Sequence, residues 1–195
     1  LLVCAFAALF NPRRSLHYAM RGLIGFIIAV FLLHVYGMGM RWYIGGYAPW
    51  SNSYETMVYV AWATVCAGLF FLRKSTLTFA LATLFGGVIL FVSGLNWMDP
   101  QIGTLVPVLK SPWLMFHVAV IVGAYGFFGI SCLIGLTNLV MMSLLRQRAQ
   151  SLVWARIKEL SLVSEMSLWV GLALMTVGTF LGAVWANESW GRYWG

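Results

Sequence analysis

Long uncharged stretches alternate with short polar ones along this chain. Residues 22–40, 56–72, 75–98, 111–145 and 166–187 contain no Asp, Glu, Lys or Arg. A membrane-crossing helix needs about 20 apolar residues to span roughly 30 Å of hydrocarbon. The pattern therefore predicts transmembrane spans at 22–40, 56–72, 75–98, 111–145 and 162–187. The 111–145 run would reach roughly 50 Å if helical throughout, so it is expected to project beyond the bilayer at one end. The opening Leu-Leu-Val-Cys-Ala-Phe-Ala-Ala-Leu-Phe is apolar but short. A signal peptide carries its basic residues ahead of the apolar run, whereas Arg13 and Arg14 follow it here. Residues 1–10 read as the end of a transmembrane helix truncated upstream, and the far end of the chain also reads as cut. The runs are continuous rather than alternating, which excludes an outer-membrane barrel. Helices satisfy their own backbone polar groups in lipid. The expected fold class is all-α, a polytopic transmembrane helix bundle.

The connections fall on two sides with unequal charge. One side holds Arg13, Arg14, Arg21, Arg73, Lys74, Arg146, Arg148, Arg156 and Lys158. The other, formed by the loops 41–55 and 98–113 and the segment 188–195, holds only Arg41, Lys110 and Arg192. Short loops rich in Lys and Arg stay cytoplasmic, so the second side is read as facing the periplasm or the equivalent outer compartment. Short interfacial helices are expected in the two outer loops. Segment 146–161 reads as a basic amphipathic stretch lying on the inner interface.

Composition agrees with a bilayer environment. Of the 195 residues 62% are hydrophobic and 9% charged, and the mean hydropathy is +0.88. These values exclude a soluble globular domain, a disordered chain and a disulfide-knit module. The net charge of +7 reports orientation in the membrane, and no nucleic-acid partner is expected. Cys4, Cys66 and Cys132 sit apart within apolar runs and read as buried small hydrophobes.

The tryptophans are lopsided. Trp42, Trp50, Trp97, Trp113, Trp185, Trp190 and Trp194 lie at or beyond the outer interface, and Trp154 alone lies at the inner one. Tyr43, Tyr47, Tyr54 and Tyr193 add to the outer side. One reading is a one-sided interfacial belt. The other is an outer-face aromatic platform for a flat, apolar ligand.

The chemical inventory is thin. Five acids and three histidines serve the chain, without a phosphate-binding loop, nucleophile elbow or paired-histidine metal motif. No catalytic residue is assigned. His17 sits among arginines at the inner interface. His34 lies inside a span, where an ionisable residue is a functional hypothesis by default, and a neutral histidine bonded between helices is the alternative. Pro112 suits a first helical turn, which puts His117 one to two turns into its helix, with Trp113 at i−4 on the same face. A neutral imidazole at that depth fits an axial haem ligand or a polar helix contact. Glu55, closing the loop at 48–55, fits either a ligand contact or an N-terminal helix charge.

Three separated stretches carry a resemblance. Trp185-Ala186-Asn187-Glu188-Ser189-Trp190-Gly191-Arg192-Tyr193-Trp194-Gly195 resembles the opening of the tryptophan-rich WWD signature. Pro49-Trp50-Ser51-Asn52-Ser53-Tyr54-Glu55 and Leu105-Val106-Pro107-Val108-Leu109-Lys110-Ser111-Pro112-Trp113-Leu114-Met115-Phe116-His117-Val118 accompany it in order. Over roughly residues 40–195 the chain resembles the CcsA/ResC branch of the haem-handling cytochrome c biogenesis superfamily, as in a fused CcsBA synthase.

The resemblance implies a part of a membrane holocytochrome c synthase that exports haem b and presents it on the outer face. The haem would be attached there to Cys-x-x-Cys-His motifs of an apocytochrome c. It implies a CcsB/ResB-type partner, as a fused domain or a separate chain. His117 matches the first of two outer histidines that ligate the iron; the second is expected beyond Gly195, so the chain by itself is expected to be inactive. The implied haem contacts are Trp113, Trp185, Glu188, Trp190, Gly191, Arg192, Tyr193, Trp194, Trp50, Asn52, Tyr54 and Glu55 beside His117. Arg192, Arg41 or Lys110 would pair with the propionates. Two other readings remain: a transporter or channel subunit with His34 on its path, and a b-type electron carrier with His34 and His117 as paired ligands.

Overall fold

The computed structural model describes residues 1–10, 13–95, 97–105, 107–145 and 151–193. Every regular element among the described residues is helical: α1 (Leu2–Phe10), α2 (Arg14–Gly45), α3 (Ser53–Phe71), α4 (Thr76–Ser93), α5 (Pro112–Leu145) and α6 (Ser151–Trp190). Helices α2 to α6 are each long and apolar enough to cross a membrane. The chain is an all-α transmembrane bundle.

Helix ends follow local chemistry and move several sequence boundaries. α2 continues past residue 40 because Arg41 finds an acidic partner in Glu55. It stops at Gly46, whose φ of +68° is left-handed and whose N–H returns to the Trp42 carbonyl at 2.9 Å; glycine adopts that cap without steric cost. Asn52 caps α3, its side chain accepting from the Glu55 N–H at 2.7 Å. α4 ends at Ser93, short of the span drawn to 98. In place of interfacial helices, the described residues of the outer loops hold one 3-10 turn, Pro107–Lys110. Residues 151–161 of the expected basic segment run straight into the last span as one 40-residue helix, about 60 Å long; residues 146–150 lie outside the described residues. Gly191, at φ +70°, closes α6.

Small residues set the packing. α5 and α6 run antiparallel, with Gly171 against the Phe128 ring, Gly178 against Ile121 and Gly182 against His117. The same seam carries a Ser131–Ser164 hydroxyl bond at 2.7 Å and an Asn138-to-Ser161 bond at 3.1 Å. Backbones approach closely where side chains are small, as expected for helices associating in lipid. α3 meets α4 through Gly68 on Ala82, and Gly126 of α5 lies on the backbone of Ala63 and Thr64. Phe71, Phe79, Ile130 and Ile134 are fully buried between these helices. α2 lies at the edge, with Met20 buried and Phe26, Leu33 and Tyr43 exposed. Cys66 and Cys132 are exposed and Cys4 half-buried, against the expectation of burial. An outward helix face in hydrocarbon tolerates a thiol as a small hydrophobe as readily as a core does.

The bundle has two unlike ends. At the basic end, Arg13, Arg73, Lys74 and Arg156 surround one cavity. At the aromatic end meet the C-termini of α2 and α6 and the N-termini of α3 and α5.

Candidate functional site

The aromatic end is built around the first two turns of α5. Pro112 opens that helix, where its missing N–H costs nothing. Trp113 and His117 then share one face, and that face meets α6. Trp113 donates its indole N–H to Glu188 Oε1 at 3.0 Å. His117 Nδ1 lies 2.7 Å from the Gly178 carbonyl. A carbonyl oxygen only accepts, so Nδ1 is the donor in this bond and Nε2 takes no part in it. The ring rests on Gly182, where an added Cβ would stand 2.6 Å from its Cε1. A backbone carbonyl bonded to the distal nitrogen is the usual way a ligating imidazole is oriented.

The aromatic tail continues the same face. The Trp185 and Trp190 rings are edge to face at 4.8 Å. Trp185 Nε1 is buried and has no partner among the described residues. Trp190 is exposed on the last turn of α6, and Arg192 and Tyr193 are exposed beyond it. Gly191 supplies the turn that redirects Arg192 and Tyr193. Trp194 lies outside the described residues.

The Trp50–Glu55 loop forms a second cluster. Glu55 is 1% exposed. Its Oε1 accepts from Arg41 Nε at 3.2 Å, with Arg41 Nη2 at 3.1 Å as an ion-pair contact. Its Oε2 accepts from the Ser51 N–H at 3.0 Å. The Arg41 guanidinium lies over the Tyr54 ring at 5.1 Å. The Arg41 charge, expected to be available to a propionate, is neutralised inside the fold. Trp50 points into the bundle, donating to the Met115 carbonyl at 3.1 Å and packing between Trp42 at 5.6 Å and Tyr59 at 4.8 Å. Burial, and then the Glu55 charge against that of Arg41, push the Tyr47 phenol above its ordinary value. It stays protonated at neutral pH and donates to the Gly103 carbonyl at 2.9 Å.

Two clefts flank this loop. One, of about 610 Å³, is lined by Trp50, Asn52, Met98, Leu114 and Met115 among others. The other, of about 400 Å³, opens beside Tyr47, Tyr54, Trp97 and Asp99. His117 lines neither cleft, because its ring is turned to α6.

The structure thus brings Trp113, His117 and Glu188 together on the α5–α6 seam, and Trp50, Asn52, Tyr54 and Glu55 in the loop beside it. His34 stands apart from both groups. Its ring lies beside the backbone of Val58 on α3, and its Nε2 is buried without a partner among the described residues. His34 and His117 are therefore turned to different helices. Gly178 and Gly182, which seat His117, are not among the residues that the sequence motifs single out. Their spacing, Gly178-Thr179-Phe180-Leu181-Gly182, is a small-residue packing signal visible in the sequence.

Residues 50–195 match the family described as cytochrome C assembly protein. The chain belongs to that family. It is 42% identical over 195 residues to Protein NrfI of Wolinella succinogenes, covering 99% of this chain and 21% of that protein. Cytochrome c biogenesis protein CcsA of Synechococcus sp. (strain CC9605) is 35% identical over 202 residues, covering 89% of this chain and 66% of that protein. CcsA of Guillardia theta is 29% identical over 180 residues, covering 80% and 60%. The chain spans about a fifth of the length of NrfI and up to about two thirds of these CcsA proteins. The chain is thus a CcsA-type member of the cytochrome c assembly family. Trp185–Tyr193, Trp50–Glu55 and the start of α5 with His117 all fall within the matched region.

Proposed function

We propose that this chain is the haem-presenting part of a membrane holocytochrome c synthase, working at the outer face of a bacterial plasma membrane. The carrying observation is the Nδ1–H bond of His117 to the Gly178 carbonyl at 2.7 Å, which leaves Nε2 as a pre-oriented axial donor. The donor set fits haem. Imidazole is an ordinary haem-iron ligand. Trp185, Trp190 and Tyr193 supply ring faces, and aromatic pairs contribute about 0.5–1.5 kcal/mol each beyond area burial. The unpartnered Trp185 N–H and the exposed Arg192 can donate to propionate oxygens.

Each residue then has a task. His117 would hold the iron, with a second ligand supplied elsewhere in the whole protein. Gly182 and Gly178 fix the imidazole. Glu188 holds Trp113, and with it the start of α5. The loop of Trp50, Asn52, Tyr54 and Glu55 braces that start from the other side. Bound haem supplies two vinyl groups. The S–H bonds of an apocytochrome Cys-x-x-Cys-His motif add across them, sulfur to one vinyl carbon and hydrogen to the other, with no net oxidation. The protein contributes position rather than a nucleophile, and positioning alone can supply a large share of a barrier reduction. The incoming motif histidine would take the place of one protein ligand such as His117, weakening the hold of this chain on the product. A CcsB/ResB-type unit, fused or separate, is the expected partner.

The test uses the whole protein in its native membrane. The absorption spectrum of His117→Gly is compared with the unaltered protein, with and without imidazole, while cytochrome c maturation is scored in the same cells. Loss of both in the variant, restored by imidazole, is the expected result. An unchanged spectrum with unchanged maturation makes His117 a packing residue and removes the reading.

A further inference from the structure

The basic end of the bundle holds a cavity that haem presentation does not use. It measures about 250 Å³ and lies between the N-termini of α2 and α4, the C-terminus of α3, the start of α6, and α1. Its rim carries Arg13, His17, Arg73, Lys74 and Arg156, all exposed. Its floor is apolar and buried, formed by Ala5, Met20, Leu77 and Leu160. One acid, Glu159, reaches the rim, and it is already paired with Arg156 at 2.6 Å. Arg13, Arg73 and Lys74 have no acidic partner among the described residues.

Three unpaired charges, Arg13, Arg73 and Lys74, converging on one small cavity repel one another unless something neutralises them. The two helix N-termini at the rim add to the positive potential. Arg13, the N-cap of α2, offers no side-chain cap to that helix and lines the cavity itself. A permanent anion is the missing partner.

The shape says which kind. A cationic rim over a buried apolar floor, at the end of a transmembrane bundle, lies at lipid headgroup depth. Basic pockets between transmembrane helices are where anionic lipid headgroups bind. The volume lies below the roughly 300–1,000 Å³ that drug-sized and cofactor-sized ligands occupy, so it suits a phosphate with its glycerol rather than a macrocycle. One to two turns further into the bundle, α1, α2 and α4 border a second cleft of about 400 Å³, lined by Ile27, Ala80, Leu84 and Val88 among others. The same three helices thus frame a headgroup site and, below it, an apolar cleft for an acyl chain.

We propose that this cavity is a specific site for one anionic phospholipid. Its phosphate is held by Arg13, Arg73 and Lys74, and an acyl chain lies in the α1–α2–α4 cleft. The bound lipid clamps the α3–α4 turn to the starts of α2 and α6, and so fixes the end of the bundle opposite the aromatic site.

The experiment is native mass spectrometry of the delipidated whole protein. It is titrated separately with phosphatidylglycerol, phosphatidylcholine and inorganic phosphate. One phosphatidylglycerol is expected to be retained well above the level of phosphatidylcholine. The double variant Arg73→Gln/Lys74→Gln should retain it about thirtyfold more weakly, since each basic residue near an anionic lipid contributes about a fivefold factor. Arg21→Gln, which removes a charge at the same end but outside the cavity, should bind as the unaltered protein does. The swap Arg73→Lys/Lys74→Arg keeps both charges and should retain the lipid, which separates lost binding from lost folding. Equal retention in the double variant overturns the proposal. Inorganic phosphate that binds alone and displaces the lipid overturns its lipid part, leaving a free-phosphate site.

Discussion

Trp113 donates its indole N–H to Glu188 at 3.0 Å, tying the first turn of α5 to the last turn of α6. The next turn of α5 carries His117, so this bond helps set how the imidazole meets its carbonyl. Glu188→Gln keeps an acceptor oxygen and should leave maturation near its normal level. Glu188→Ala removes the acceptor. The pair is exposed, so stability should fall by no more than about 1 kcal/mol. Maturation per molecule of protein should fall several-fold. Immunoblotting for protein amount, set against holocytochrome yield, separates the two effects.

Gly182 is the seat of the His117 ring. A methyl group there would stand 2.6 Å from Cε1 and 2.7 Å from Nδ1. The ring must swing away, and its bond to Gly178 must break. Gly182→Ala is expected to weaken the haem spectrum nearly as much as His117→Gly does. Added imidazole should not restore it, because the displaced side chain still fills the space. Gly135→Ala, on the same helix as His117 with nothing within 4 Å of the added methyl, is the control and should be spectrally normal.

The Arg41–Glu55 pair holds the outer ends of α2 and α3 together. Removing one partner of a buried ion pair costs about 3–5 kcal/mol, because the other charge is stranded. Arg41→Met should therefore lower the melting temperature of the purified protein sharply. Arg41→Met/Glu55→Met removes both charges and should melt above the single variant. Glu55→Gln should lie between the single variant and the unaltered protein, since its amide oxygen still accepts from Ser51. A double variant melting below Arg41→Met would show that Glu55 is not stranded without Arg41, and would remove this account of the pair.

Much of the fold is legible because lipid enforces it. Uncharged runs of the right length predict five full spans, and five helices among the described residues are long and apolar enough to cross. The ends are less legible, because tertiary partners decide them. Arg41 marks a loop by its charge, yet it stays helical because Glu55 neutralises it. Segment 151–161 looks like a separate surface stretch by its charge, yet nothing between it and the last span breaks the helix. At the site, the resemblance includes His117, Trp113 and Glu188 among a larger set of implied haem contacts, and the seam joins these three. The proton position on His117 is not legible, because it depends on which α6 carbonyl the antiparallel register brings to Nδ1. The inward turn of Trp50 is equally hidden: a tryptophan in an outer loop reads as a platform until the Met115 carbonyl is seen to hold it.

Trp50 and Trp190 therefore make opposite predictions from the same residue type. Trp50 is bonded to Met115 and packed between Trp42 and Tyr59, so its energy is spent inside the protein. Trp50→Phe keeps most of the packing and loses one hydrogen bond, worth about 0.5–1.5 kcal/mol. Trp50→Ala also loses the ring, at about 3–5 kcal/mol. Both should lower the melting temperature in that order. In molecules that remain folded, the position of the haem absorption maximum should stay put. Trp190 is 58% exposed, and its replacement should move stability by only about 0.5 kcal/mol. If its ring lies against haem, Trp190→Ala shifts the absorption maximum and weakens haem retention at unchanged melting temperature. A spectrum that responds to Trp50 and ignores Trp190 would move the haem from the α5–α6 seam to the clefts beside the Trp50–Glu55 loop.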